Sequence, residues 1–200
     1  MKRAIFIHGY YAKEKFFNPD DPTWRINFKD FVPWLLKNLE INGYLAYNPV
    51  MPWPYWPVYE DWARELDRYD ADENTVIIGH SYGGGFLVRY LSERDVKVGK
   101  VILIEPYLGI EDGNRVNQKS FFDYEIDENL ATKTAGLTVM MSTGGNDPDD
   151  HELTEKSYDF LQANVKGFKT VTIEDRGHFT VSTAGAVNET FPELLEEILR

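Results

Sequence analysis

The chain has 200 residues, enough for one domain with a buried core that needs no covalent staples. Asp and Glu number 33 against 21 Lys and Arg, and the net charge of −12 repels phosphate backbones, so nucleic acid is excluded as an expected partner. A hydrophobic content of 42% excludes a disordered chain, and the lack of cysteine removes disulfide scaffolds, thiol nucleophiles and cysteine zinc sites together.

Ala4–His8 is the first predicted strand. Its apolar stretch is too short for a signal-peptide core, and no stretch approaches the ~20 apolar residues of a membrane helix. The expectation is a cytoplasmic chain with no membrane partner. Tyr44–Tyr47 is a short second strand, followed by Thr75–Ile78, Val101–Ile104, Leu137–Met141 and Thr170–Ile173. These runs are mostly continuous rather than alternating, as in strands covered on both faces. Between them, apolar residues step at three and four: Phe31, Trp34, Leu35 and Leu39; Trp62, Leu66 and Tyr69; Phe86, Leu87, Tyr90 and Leu91; Phe160, Leu161 and Val165. Phe191, Leu194, Leu195, Ile198 and Leu199 close the series. Strand and helix in alternation predict an α/β fold with a mostly parallel sheet of about six strands. Residues 1–200 contain no repeat, low-complexity tract or linker and read as a single domain. Asn188-Glu189-Thr190 matches a glycosylation acceptor, which without a secretory signal reads as a chance match.

Two segments break the pattern. Residues 10–27 form a long polar and aromatic loop after the first strand. Pro49–Tyr59 carries prolines at 49, 52, 54 and 57, which forbid regular helix and central strand. It leaves the carboxyl end of the second strand, the side on which open α/β sheets bind ligands. Trp53, Tyr55 and Trp56 are therefore the candidate wall of a substrate pocket, against the simpler reading of a stiff cover over the core.

Gly79-His80-Ser81-Tyr82-Gly83 lies between the strand Thr75–Ile78 and the helix with Phe86 and Tyr90. This is G-x-S-x-G in the strand-to-helix context that turns a serine into an exposed nucleophile. The sharp reversal leaves no room for side chains two residues either side, so both positions are glycine. A dinucleotide fingerprint would need glycine where Ser81 stands, and a P-loop would need Lys and Ser/Thr where Gly85 and Phe86 stand. A serine also needs a base. Of the four histidines, His178 follows the last strand and so reaches the edge of the sheet that carries Ser81. His8 reads as a brace for the loop after the first strand, His80 is expected to point away from the Ser81 hydroxyl, and His151 is expected in an acidic, solvated loop.

The base needs a carboxylate to fix its tautomer. Asp147 follows the strand Leu137–Met141 after a glycine pair and is the first candidate. Asp149 and Asp150 are rivals that look more like a helix start, and Glu105 and Asp112 are outside alternatives. The order Ser81, Asp147, His178 is the serine–acid–histidine order of α/β-hydrolases. The backbone N–H groups of Tyr10 and Tyr82 are the expected oxyanion hole. No cofactor is expected. A metal site from Asp147, Asp149, Asp150, His151 and Glu152 lacks the glycine of a calcium loop and reads as a solvated helix start.

With these residues in place, the chain resembles the small serine hydrolases related to retinoblastoma-binding protein 9, within the α/β-hydrolase superfamily. The resemblance runs through Phe6-Ile7-His8-Gly9, Trp34-Leu35, residues 72–81, Asn146-Asp147-Pro148 and Gly177-His178-Phe179. It implies a three-layer α/β/α sandwich without a large cap domain, and the roles of Ser81, Asp147 and His178 as nucleophile, acid and base. The chain departs from the family in its Pro49–Tyr59 segment and in the acidic run after Asp147. The expected function is hydrolysis of small carboxylic esters, with amides as a second substrate class. A binding module on the same fold, using the aromatic segment to contact a protein or ligand, is the alternative.

Overall fold

A computed structural model describes residues 1–18, 29–110, 120–144 and 148–200, with the backbone alone at 148–150. Asp147, Asp112, residues 19–27 of the first long loop and the side chains of Asp149 and Asp150 therefore lie outside the described residues.

Six strands, β1 (Arg3–Ile7), β2 (Leu45–Tyr47), β3 (Thr75–His80), β4 (Val98–Ile104), β5 (Thr134–Thr143) and β6 (Lys169–Glu174), form one sheet in the order β2-β1-β3-β4-β5-β6. Every neighbouring pair is parallel. Seven α-helices are described: α1 (Lys13–Phe16), α2 (Val32–Ile41), α3 (Tyr59–Asp67), α4 (Tyr82–Glu93), α5 (Pro148–Asn164), α6 (Val181–Ala184) and α7 (Pro192–Leu199).

Alternate strand residues feed two separate cores, as the two-residue period of a strand demands. Ile5, Ile7, Ile77, Val101, Leu103 and Val139 pack with α3 and α4 on one face. Ala4, Phe6, Ile78, Ile102, Ile104 and Met140 pack with α2 and α7 on the other. The continuous apolar runs follow from this, because both faces of the inner strands are covered. Pro33 falls in the first turn of α2, where its missing N–H costs no helical bond. β4 and β5 start earlier than their apolar runs, because Lys100 pairs with Gly136 in register although neither adds apolar surface. Helix α1 is a single turn inside the first long loop, too short to show a period.

The order of strands reverses between β1 and β3. Chain segments leaving these two adjacent strands diverge there, and the crevice opens at their carboxyl ends. Among the described residues, no helix is long and apolar enough to cross a membrane.

Candidate active site

Ser81 sits at that crevice, between β3 and α4, with φ 55° and ψ −118°. A non-glycine residue keeps such a conformation only when its surroundings impose it. Here its N–H donates to the Ile104 carbonyl at 2.9 Å, and its own carbonyl accepts from Gly85 (3.1 Å) and Tyr107 (3.0 Å). The flanking glycines are sterically required. A Cβ on Gly79 would lie 2.5 Å from the Gly83 carbonyl oxygen, and one on Gly83 would strike the Ile7 carbonyl oxygen. A Cβ on Gly9 would lie 3.0 Å from the Ser81 Cβ, so the loop after β1 presses directly against the serine.

His8 fixes that loop. Its Nδ1 lies 2.7 Å from the Gly9 carbonyl, and its Nε2 accepts the Met51 N–H at 2.9 Å. Both ring nitrogens are engaged, and burial pushes its pKa down to about 4. This neutral ring is a brace, and the segment it grips is the proline-rich one. Pro54 accepts the Tyr11 N–H at 3.0 Å and Pro52 accepts the Trp62 Nε1–H at 2.8 Å. Met51 is fully buried, whereas Trp53 and Trp56 are 59% and 58% exposed.

His178 follows β6 in a segment with three residues at positive φ, Asp175, Gly177 and Phe179. The segment is laced to the end of β5: Asp175 and Gly177 donate to the carbonyls of Thr143 (2.8 Å) and Gly144 (3.0 Å). Arg176 donates its N–H to Ser142 Oγ at 3.0 Å. The His178 N–H donates to Thr183 Oγ1 at 3.1 Å. Its ring faces the cavity while Nδ1 is buried and without a partner among the described residues. Burial, then the positive charge of Lys29, then His151, push its pKa down to about 4.

Arg176, itself buried, closes the loop by donating from Nε to Asn188 Oδ1 at 2.7 Å. Asn188 is fully buried and donates to the carbonyls of Arg176 and Thr180, so this asparagine cannot carry a glycan in the folded chain.

Two residues play parts that their sequence positions did not reveal. His80 turns its ring onto His178, with centroids 4.7 Å apart, and its Nε2 donates to the His178 carbonyl at 2.8 Å. Burial, and then the neighbouring His178, push its pKa down to about 3. Glu105, at the end of β4, is buried with φ 42°. Its carboxylate accepts the Ser142 N–H and the Thr154 hydroxyl, so it joins the end of β5 to α5 and forms no hydrogen bond with His178 Nδ1. Burial pushes its pKa up to about 7. His151 lies in α5 rather than in a loop, with Nε2 3.2 Å from Glu155 Oε1.

The crevice is a cavity of about 760 Å³, a size that suits a small-molecule ligand. Gly9, Tyr10, Ser81, Tyr82 and His178 all line it. Trp53, Tyr55 and Trp56 do not. Trp53 and Trp56 turn outward, and the Tyr55 ring packs on Phe16 and Phe17 at 5.2 and 5.1 Å. The segment serves the cavity indirectly, by holding His8 and Tyr11. No group of three or more His, Asp or Glu side chains that could hold a metal occurs among the described residues.

A six-stranded parallel sheet flanked by helices, with a strained serine at the strand-to-helix turn and a histidine after the last strand, is the α/β-hydrolase fold. The comparisons agree. The structure of the ydeN gene product of Bacillus subtilis superimposes with a TM-score of 0.72, at 22% identity, over 100% of this chain and 97% of that one. A ydeN-like protein of Pectobacterium atrosepticum gives a TM-score of 0.63 at 13% identity, over 99% and 89%. Est1E of Butyrivibrio proteoclasticus, solved with ferulic acid bound, gives 0.60 at 17% identity, over 100% and 88%. In sequence, the chain is 30% identical over 110 residues to the Bacillus subtilis protein named "Putative hydrolase YdeN". That match spans 53% of this chain and about half, 51%, of the relative. No family model matches the chain.

Proposed function

We propose that the protein is a serine hydrolase acting on small carboxylic esters, with amides as a second class, through Ser81, His178 and Asp147. The observation that carries this reading is the strained Ser81 held in one cavity with the ring of His178. The names of the similar proteins, "Putative hydrolase YdeN" and Est1E with ferulic acid bound, support the same reading.

In the first half-reaction Ser81 Oγ attacks the ester carbonyl carbon while His178 takes the hydroxyl proton. The negative charge on the carbonyl oxygen is held by the N–H groups of Tyr10 and Tyr82. Tyr82 is the first residue of α4, so its N–H lies at the positive end of the helix dipole, and both Tyr10 and Tyr82 line the cavity. The carbon–oxygen bond to the leaving alcohol then breaks, and His178 gives that alcohol its proton. In the second half, water attacks the acyl-enzyme, loses its proton to His178, and the acid leaves as Ser81 recovers the proton.

Asp147 is assigned to the buried Nδ1 of His178. The support is that Nδ1 has no partner among the described residues, and that residues 143–144, just before Asp147, bond to the His178 segment. A carboxylate there holds Nε2 toward the serine and stabilises the imidazolium.

The test is intact mass after incubation with a fluorophosphonate, on the wild type and on Ser81→Ala. One adduct on the wild type and none on the variant supports the reading. No adduct on folded wild type rejects it, and favours a binding role for the exposed Trp53 and Trp56.

A further inference from the structure

The protein as a whole is strongly acidic, yet the side chains around the reacting centre are not. Among the described residues lining the cavity, the charged ones are Lys15, Lys29 and Asp30, two cations against one carboxylate. The three lining histidines, His8, His80 and His178, are all held in the neutral form by burial.

Asp30 offsets one of the two cations and leaves a net positive charge among these side chains. One of its oxygens accepts the Val181 N–H at 2.8 Å, tying residue 30 to the His178 side of the cavity. The other forms a long ion pair with the Lys29 ammonium, at 3.7 Å. Lys29 is itself held at its backbone, where its carbonyl accepts the Val32 N–H at 3.2 Å. Asp30 adopts φ 55° in that turn. The Lys29 ammonium lies 5.2 Å from the centre of the Tyr11 ring, another lining residue, so its direction is set by a cation–π contact. Lys15 reaches the same cavity from α1 and forms no ion pair among the described residues. The field of Lys29 also reaches the chemistry, since its charge lowers the basicity of His178, whereas at His80 the charge of Asp30 opposes it.

We infer that the cavity selects esters carrying a second, anionic group, a carboxylate for instance, which Lys29 binds with support from Lys15. This rests on the hydrolase reading and names its substrate class. A chain of net charge −12 repels anions over most of its surface, so two lysines placed in the reactive cavity define where an anion is accepted. Such a group would also offset the charge that Lys29 imposes on His178, and so restore basicity to the histidine once substrate is bound.

The experiment compares monoethyl succinate with a neutral single-ester analogue of similar size, ethyl levulinate, following release of ethanol at pH 7 and low salt. The wild type is expected to favour the charged ester in kcat/KM by roughly fivefold to tenfold, the scale of one partly solvated ion pair. Lys29→Met should bring that ratio toward one by raising KM for the charged ester, and Lys29→Arg should keep it. Added salt should erode the preference in the wild type and leave Lys29→Met nearly flat. Equal or better use of the neutral ester, in a wild type that takes a fluorophosphonate adduct, overturns this inference and leaves the hydrolase reading standing. A folded wild type with no adduct overturns both.

Discussion

His80 donates from Nε2 to the backbone carbonyl of His178 at 2.8 Å, so the residue before the serine holds the segment that carries the proposed base. The nucleophile turn and the histidine loop are thereby fixed to each other by one hydrogen bond between segments 98 residues apart. His80→Ala should keep the fold but loosen His178, lowering kcat by about tenfold to a hundredfold with little change in KM. His80→Gln, which can restore a donor, should recover part of the loss. Steady-state kinetics with one activated ester checks both variants, and an unchanged kcat in His80→Ala would remove the positioning role.

Ser81 stores backbone strain that its hydroxyl requires. Ser81→Gly should relieve the φ 55° conformation, and a gain of about 1 kcal/mol corresponds to a rise in Tm of about 2–4 °C for a domain of this size. Ser81→Ala keeps a Cβ in the same conformation and should not show the gain. Both variants should lose fluorophosphonate labelling. Thermal melts of the three proteins in one buffer decide the point, and an equal Tm for Gly and Ala would mean that the turn is not strained.

Glu105 makes stability depend on pH in a direction unusual for a carboxylate. Its folded pKa of about 7 lies above its ordinary value of 4.5, so the folded chain holds the proton more tightly than the unfolded one. That contribution is complete below pH 4.5 and is lost as pH rises through about 7. Glu105→Gln removes this dependence, so the difference in stability between variant and wild type should move in favour of the variant between pH 5 and 8. Denaturant melts across that range provide the measurement. A wild-type curve parallel to that of Glu105→Gln would show that the carboxylate titrates normally.

The buried histidines act in the opposite sense. His8 and His178 are depressed from 6.5 to about 4, and His80 to about 3. Each prefers the neutral form in the folded state, so its contribution is present above pH 6.5 and is lost as pH falls through these values. Each unit of depression corresponds to about 1.4 kcal/mol, so acid should unfold the protein well before its surface carboxylates are all protonated. Replacing His8 with Gln should flatten the acid limb. A melt series in which both proteins lose stability identically from pH 6.5 to 4 would exclude His8 as a contributor.

The acid limb of activity should report the proposed Asp147. His178 must be neutral to act as base, and burial, Lys29 and His151 push its pKa down. A carboxylate there favours the imidazolium and raises the pKa. Asp147→Asn should therefore move the acid limb of kcat/KM to lower pH as well as reduce the rate. A slower enzyme with an unshifted limb would place the acid elsewhere in the chain.

The sequence by itself determined the six strands, the longer helices and the turn that carries Ser81. Continuous apolar runs such as Val101–Ile104 mark strands buried on both faces, and the stepped positions of Phe191 to Leu199 mark an amphipathic helix. Gly79 and Gly83 mark the turn at Ser81, because their need for glycine is steric and local. What lies between residues far apart in the chain was decided only by the tertiary structure. The outward direction of Trp53 and Trp56, the grip of His8 on Met51, the bond from His80 to His178 and the entry of Lys29 into the cavity all depend on packing between separate segments. Residue type and spacing encode local preference, whereas the partner a side chain meets depends on how the sheet brings its strand ends together.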